Sequence, residues 1–173
     1  LMIWEEGTLG SIYNVALNMR ERDYEEIVAL SFCENRKELA DQLARTWSGH
    51  QTTLVCGTKE LGGIAAITYI PMRKGVWNLG LFATNNFQKI HLSLTKLIIN
   101  SIIPVLDKAN AHRVEAQSIV GYETVHNWLR FLGLNEESVL HGYGRNKEDF
   151  VNFAWVRGEN EKNLKWISRG EIA

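Results

Sequence analysis

The chain has little cysteine, no excess of charge of either sign and no long apolar run, and each shortage removes a class of protein. Cys33 and Cys56 are the only cysteines in 173 residues. They form no Cys-x-x-Cys pair and are too few for a disulfide framework, so reduced thiols and a cytosolic setting are expected. Lys and Arg total 19 against 20 Asp and Glu, a net charge of -1. That argues against a broad electrostatic grip on nucleic acid or an anionic membrane, and leaves room for a small basic pocket around a phosphate-bearing ligand. The opening Leu1-Met2-Ile3-Trp4-Glu5-Glu6 lacks the basic start and apolar stretch of a secretory signal. The longest apolar runs, near residues 97–106, are broken by Asn100 and Ser101, well short of the roughly 20 residues that cross a bilayer. No Gly-x-Ser-x-Gly, Walker loop or His-Glu-x-x-His occurs. His50, His112 and His141 share no ligand spacing with cysteines or carboxylates, so no metal is expected.

What is there is a change of hydrophobic period along the chain. Thr8 is placed to cap a first helix to about Asn18, with Ile12, Val15 and Ala16 on its apolar side. Asp23 followed by Glu26 has the spacing of a capping box and predicts a second helix opening there. Asn35 with Glu38 repeats the signal, and Leu39, Leu43 and Trp47 mark one face of a third helix. Strands are expected over residues 52–56, 62–70 (ending before Pro71) and 76–82. A polar connection then leads into a long helix over residues 89–109, which Pro104 should kink or stop early. A strand over 113–117, a helix over 122–132 closed by Gly133, and a hairpin of 137–143 with 150–156 complete the pattern. The order αααβββαβαββ describes one α/β (α+β) domain over residues 3–156, with about six strands. Residues 157–173 are a charged tail with Trp166 and Ile167 as its apolar pair.

Two stretches carry a resemblance. Arg113-Val114-Glu115-Ala116-Gln117 followed by Trp128-Leu129-Arg130-Phe131-Leu132-Gly133-Leu134 resembles the fifth strand and following helix of the GNAT acyltransferase superfamily, which ends in a Leu-Gly-Phe-like corner. The run Asn18-Met19-Arg20-Glu21-Arg22-Asp23-Tyr24-Glu25-Glu26 is similar to a narrower group, the small GNAT-like proteins of tailed phages, found among internal virion proteins. The first resemblance implies acetyl-CoA as co-substrate and no metal. Two neighbouring strands, 76–82 and 113–117, should splay so that pantetheine amides meet open backbone groups, and the diphosphate should sit at the start of the long helix.

Residue by residue, the resemblance places the cofactor at Leu81, Phe82, Ala83, Thr84, Asn85, Asn86 and Lys89, and at Tyr122. Glu115 and His91 are the candidate catalytic groups, for orienting or deprotonating an amine. The chain departs from the superfamily at two points. Residues 83–91 carry no glycine where the phosphate loop normally has two small residues. Leu129, which cannot donate a proton, stands where a tyrosine usually serves as leaving-group acid. Asp23 and Glu26 could line an acceptor cleft, but their spacing fits a helix cap better. Trp128 is expected in the core and His126 on the surface. Two functions follow: an N-acyltransferase of GNAT type, acting in a host cytoplasm, or a catalytically degenerate relative that binds phage or host proteins, incorporated in a virion or self-associating.

Overall fold

The computed structural model describes residues 1–159; the expected tail, with Trp166 and Ile167, lies outside them but for its first three residues. The fold is α+β, with a mixed seven-stranded sheet in the order β1-β2-β3-β4-β5-β7-β6. The strands are β1 Ile3–Glu6, β2 Thr53–Thr58, β3 Gly62–Arg73, β4 Val76–Ala83, β5 Arg113–Ile119, β6 Asn135–Leu140 and β7 Phe150–Val156. The α-helices are α1 Leu9–Leu17, α2 Glu21–Val28, α3 Arg36–Ser48, α4 His91–Leu97, α5 Ile103–Lys108 and α6 Glu123–Leu132. The chain forms two compact units: Leu1–Ile70 with Leu79–Leu94 and Gly144–Asn146, and Pro71–Asn78 with Thr95–Tyr143 and the described residues from 147 on.

In the first unit the helices start where local chemistry says they should, with one exception. The Thr8 hydroxyl accepts the Ser11 N–H in a reciprocal capping box, and Asn35 accepts the Glu38 N–H. Ile12, Val15 and Ala16 of α1 pack with Leu39, Ala40, Leu43 and Ala44 of α3 over Val55, Ala66 and Phe82, because spacings of three and four put them on one stripe. The exception is α2. It begins at Glu21 with Arg20 at the cap position and no side-chain cap, so Asp23 is the third residue of the helix rather than its cap.

Three further expectations are corrected here. The seventh strand, β1, was not anticipated: all four residues are exposed, so it has no alternation to read, and as the edge of the sheet it pairs antiparallel with β2. β3 runs through Pro71. Its ladder with β2 ends at Thr53↔Thr68, so on that side no partner strand calls for the N–H that Pro71 lacks. The long helix is three pieces. A 3-10 turn over Phe87–Lys89 precedes α4, a π-helical turn spans Ile98–Ile102, and Pro104 is the second residue of α5. The wide π turn is where the backbone absorbs a residue that can neither donate nor fit beneath the preceding carbonyl.

In the second unit β7 lies between β5 and β6, antiparallel to both, and all but its last residue are buried. α6 ends at Gly133 with φ 106°, a left-handed stop that suits glycine. His126 is buried rather than on the surface: its Nε2 donates to the Ile119 carbonyl at 3.0 Å and its ring lies 5.0 Å from that of Phe153. Trp128 is half-buried, not core, and its indole N–H donates to Thr95 Oγ1 at 3.0 Å. Both cysteines are free; Cys56 is buried, and desolvation pushes its thiol up to about 12. Among the described residues, no helix is long and apolar enough to cross a membrane.

Candidate functional site

The predicted cofactor residues of the first unit lie where β4 leaves the sheet. Phe82 and Ala83 are fully buried; the Phe82 ring packs 4.7 Å from Trp47, so it serves the core. Leu81 and Thr84 are half-buried, and Asn85, Asn86, Gln88 and Lys89 point to solvent. Most of the backbone amides here are already taken. Ala83 N–H donates to Asp23 Oδ2 at 2.8 Å and Thr84 N–H to the Ile64 carbonyl at 2.8 Å. Asn86 N–H meets Thr84 Oγ1, and those of Phe87, Lys89 and Ile90 bond carbonyls three residues back. The positive φ angles of the chain fall elsewhere, which explains how this connection closes without glycine. It offers an anion one ammonium, from Lys89, together with the side chains of Thr84, Asn85 and Asn86. Side-chain donors, rather than a glycine-rich nest of amides, are what this connection presents to solvent. His91, the first residue of α4, stands half-buried with its ring edge-on to Phe87 at 5.6 Å.

In the second unit the candidate residue is Glu115, on a strand whose even-numbered residues are buried and whose odd-numbered residues are half-exposed. Arg113 joins its neighbours there. Its Nε donates to Glu115 at 2.8 Å, and its two terminal nitrogens meet both oxygens of Glu137. Asn152 Nδ2 donates to Glu137 at 2.8 Å, and Gln117 Nε2 donates to Asn152 Oδ1 at 2.7 Å. A bulge between Glu136 and Ser138 lets Glu137 join this set, since the extra residue breaks the strict alternation of β6. The Arg113 hydrogen bonds hold the Glu137 carboxyl below its usual range, and its partners in turn push the guanidinium up. Tyr122 is buried at the start of α6, and Leu129 is buried on the same helix.

The register of β4 bears on the expected opening. β4 and β5 pair in parallel at Val76↔Arg113, Trp77↔Val114 and Asn78↔Glu115. β4 then runs on to Ala83 and β5 to Ile119, and the continuing part of β5 stays in register with β7. At the last pair of that ladder the Asn78 Oδ1 is buried without a hydrogen-bond partner among the described residues, an expensive state for an amide oxygen unless something else donates to it.

Sequence reasoning missed Asp23 and Arg20 as neighbours of the predicted loop, and missed Gln117, Glu137 and Asn152 as partners of Glu115. The alternating Arg113-x-Glu115-x-Gln117 was a visible sign of the second group; nothing local signalled the first. Among the described residues, no cluster of three or more His, Cys, Asp or Glu side chains could hold a metal.

No protein-family model matches this chain, and no curated protein matches it by sequence. Solved structures do match. A GNAT-family acetyltransferase from Bacillus anthracis superposes with a TM-score of 0.68 at 12% identity, over 91% of this chain and 96% of that one. The ribosomal-protein-S5-alanine acetyltransferase from Vibrio fischeri gives 0.63 at 16%, over 92% and 94%. The ribosomal-protein-S18-alanine N-acetyltransferase from Escherichia coli gives 0.62 at 14%, over 92% and 98%. The chain therefore has the fold of GNAT acetyltransferases; at these identities the likeness extends to the fold.

Proposed function

We propose that this chain is an acyl-CoA-dependent N-acyltransferase that moves an acetyl group to an amine. The observation that carries the reading is the short parallel ladder, which stops at Asn78↔Glu115 while β4 continues to Ala83. A strand that outruns its ladder leaves backbone groups that an amide-bearing ligand can pair with. Acetyl-CoA would supply the activated thioester. On this reading the edge of β4 near Leu81 takes pantetheine amides, and Thr84, Asn85, Asn86 and Lys89 hold the phosphates by their side chains. His91, in the same unit, is a candidate base; Glu115 and Tyr122 belong to the second unit and keep the roles that the resemblance implies, Glu115 for the amine and Tyr122 for the carrier. The amine nitrogen attacks the thioester carbonyl carbon, the carbon–sulfur bond breaks, and the proton lost by nitrogen is balanced by the one the thiolate gains.

A specific observation favours a second reading for part of the chemistry. Leu129, at the superfamily's tyrosine position, is buried and cannot protonate a leaving thiolate, so solvent must do so or turnover fails. In the second case the chain is a degenerate relative acting by protein binding. The likeness of residues 18–26 to phage virion proteins supports a phage origin for either reading, in the host cytoplasm or the particle.

Thermal unfolding with and without acetyl-CoA separates these readings. A ligand at a hundred times its dissociation constant raises stability by about 2.7 kcal/mol. A shift of that order, lost in Lys89→Glu and weakened in Asn86→Asp, supports the carrier site, and no shift at millimolar acetyl-CoA removes it. Release of free thiol with an amine present identifies the enzyme, with Glu115→Gln lowering turnover more than carrier affinity. Binding without release identifies the degenerate relative.

A further inference from the structure

The stretch 18–26 is the one sequence motif that the proposed chemistry leaves without a task, and the structure ties it to the end of β4. Met19 and Thr84 form an isolated antiparallel bridge. The Arg20 N–H donates to the Ala83 carbonyl at 2.8 Å, and the Ala83 N–H donates to Asp23 Oδ2 at 2.8 Å. The Arg20 guanidinium donates to both Asp23 oxygens at 2.9 to 3.1 Å and lies 4.7 Å from the centre of the Phe87 ring. Behind them, Arg36 donates to the Met19 carbonyl at 2.8 Å and to Glu21 at 2.7 Å.

Asp23 is 3% exposed. A carboxylate is costly to bury unless it is paired and hydrogen-bonded, and a carboxylate that only helped to start the helix would need no partner outside it. Asp23 is the third residue of α2, in its first turn, and its side chain reaches away from the helix to a backbone amide sixty residues away. Both hydrogen-bonding groups of Ala83 are thus held by the junction between α1 and α2. The following residues have no glycine and close by bonds among themselves, so the direction in which the connection leaves β4 is set at Ala83 and Thr84.

Resting on the carrier reading above, we propose that Asp23, neutralised by Arg20, is a positioning residue: it fixes the Ala83 backbone so that Thr84, Asn85, Asn86 and Lys89 are aimed together at the carrier's phosphates. The pair also closes the edge of β4 at Ala83, so a ligand pairing with that edge is confined to the residues before it.

The test measures acetyl-CoA affinity by calorimetry and amide exchange at residues 83–90 in wild type, Asp23→Ala, Asp23→Asn and Leu43→Ala. Asparagine keeps an oxygen for the Ala83 N–H; Leu43→Ala opens a cavity in the same unit and touches none of these bonds. Asp23→Ala should weaken affinity at least tenfold and speed exchange at 83–90, Asp23→Asn should stay within about threefold of wild type, and Leu43→Ala should bind normally despite its lower Tm. Wild-type affinity in Asp23→Ala, or an equal loss in Leu43→Ala, overturns the inference. Should wild type itself not bind acetyl-CoA, the carrier reading fails; the latch then still stands on faster exchange at 83–90 in Asp23→Ala, and falls if that exchange is unchanged.

Discussion

The α1–α3 layer of the first unit and the β5–β7–β6 face of the second neutralise their polar groups in different ways. In the first, caps and one buried carboxylate satisfy backbone amides, and the side chains between them are aliphatic or aromatic. In the second, side chains satisfy one another across three strands, in a chain of bonds from Gln117 through Asn152 and Glu137 to Arg113 and Glu115. The first arrangement fails chiefly when packed volume is lost, and that loss is indifferent to pH. The second fails when one charge loses its partner, and it carries a pH signature.

The largest effect should come from the first region. Phe82 is fully buried against Trp47, and Phe82→Ala should cost about 3–5 kcal/mol, the transfer energy of the ring plus the cavity it leaves. Urea unfolding at several pH values should show the same loss throughout. A loss that varied strongly with pH would break the contrast between the regions.

Next comes Arg113→Met, which leaves Glu115 and Glu137 without their guanidinium. Hydrogen bonds to charged groups contribute roughly 1.5–3 kcal/mol each, and Glu137 is partly exposed, so a total near the lower figure is expected. The sign of the pH effect follows from Glu137. Its folded carboxyl lies below the ordinary 4.5, so the folded state holds that proton less readily than the unfolded chain. Its contribution is complete above the ordinary value and fades as pH falls through the folded one. Wild type should therefore lose stability on that acid limb, and Arg113→Met should show a shallower slope there. Parallel slopes would mean that the ion pair is not what holds the carboxyl down.

The contrast also explains what could be read from the chain beforehand. Thr8 and Asn35 were legible because a cap bonds an amide three residues away. Asp23 carried the same local signal, but its partner lies on β4, and tertiary geometry overrode the spacing. β1 has no buried face and so no pattern. His126 looked like a surface residue of α6 until β5 and β7 brought Ser118, Ile119 and Phe153 against it. Glu137 reaches Arg113 by a bulge, which shifts the alternation that sequence analysis relies on. The order of strands and helices was visible because hydrophobic period is set by burial. That most backbone amides of residues 83–90 are already bonded was not, because it depends on which partners the rest of the fold supplies.

A smaller effect sharpens the comparison within the first unit. Thr8→Ala removes the acceptor of the Ser11 N–H and should cost about 1 kcal/mol, seen as a lower urea midpoint at unchanged slope. A change in slope would indicate that α1 frays into a different folded ensemble rather than losing one bond.

The smallest expected effect isolates burial from distance. Arg45 and Asp41 on α3 approach to 2.9 Å, and Arg113 and Glu115 to 2.8 Å, but the first pair is 71% and 52% exposed and the second 20% and 19%. An exposed pair one helical turn apart contributes about 0.3–0.5 kcal/mol because water screens the attraction and two long side chains must be ordered to make it. Arg45→Gln should therefore cost no more than that, and the cost should vanish at about 1 M salt, where the screening length is near 3 Å. Part of the Arg113→Met loss should persist in the same salt, since Arg113 and Glu115 are largely shielded, while the share carried by the more exposed Glu137 should be screened. If both losses disappeared together, the polar face of the second unit would be as well solvated as the outside of α3, and the distinction between the two regions would rest on composition alone.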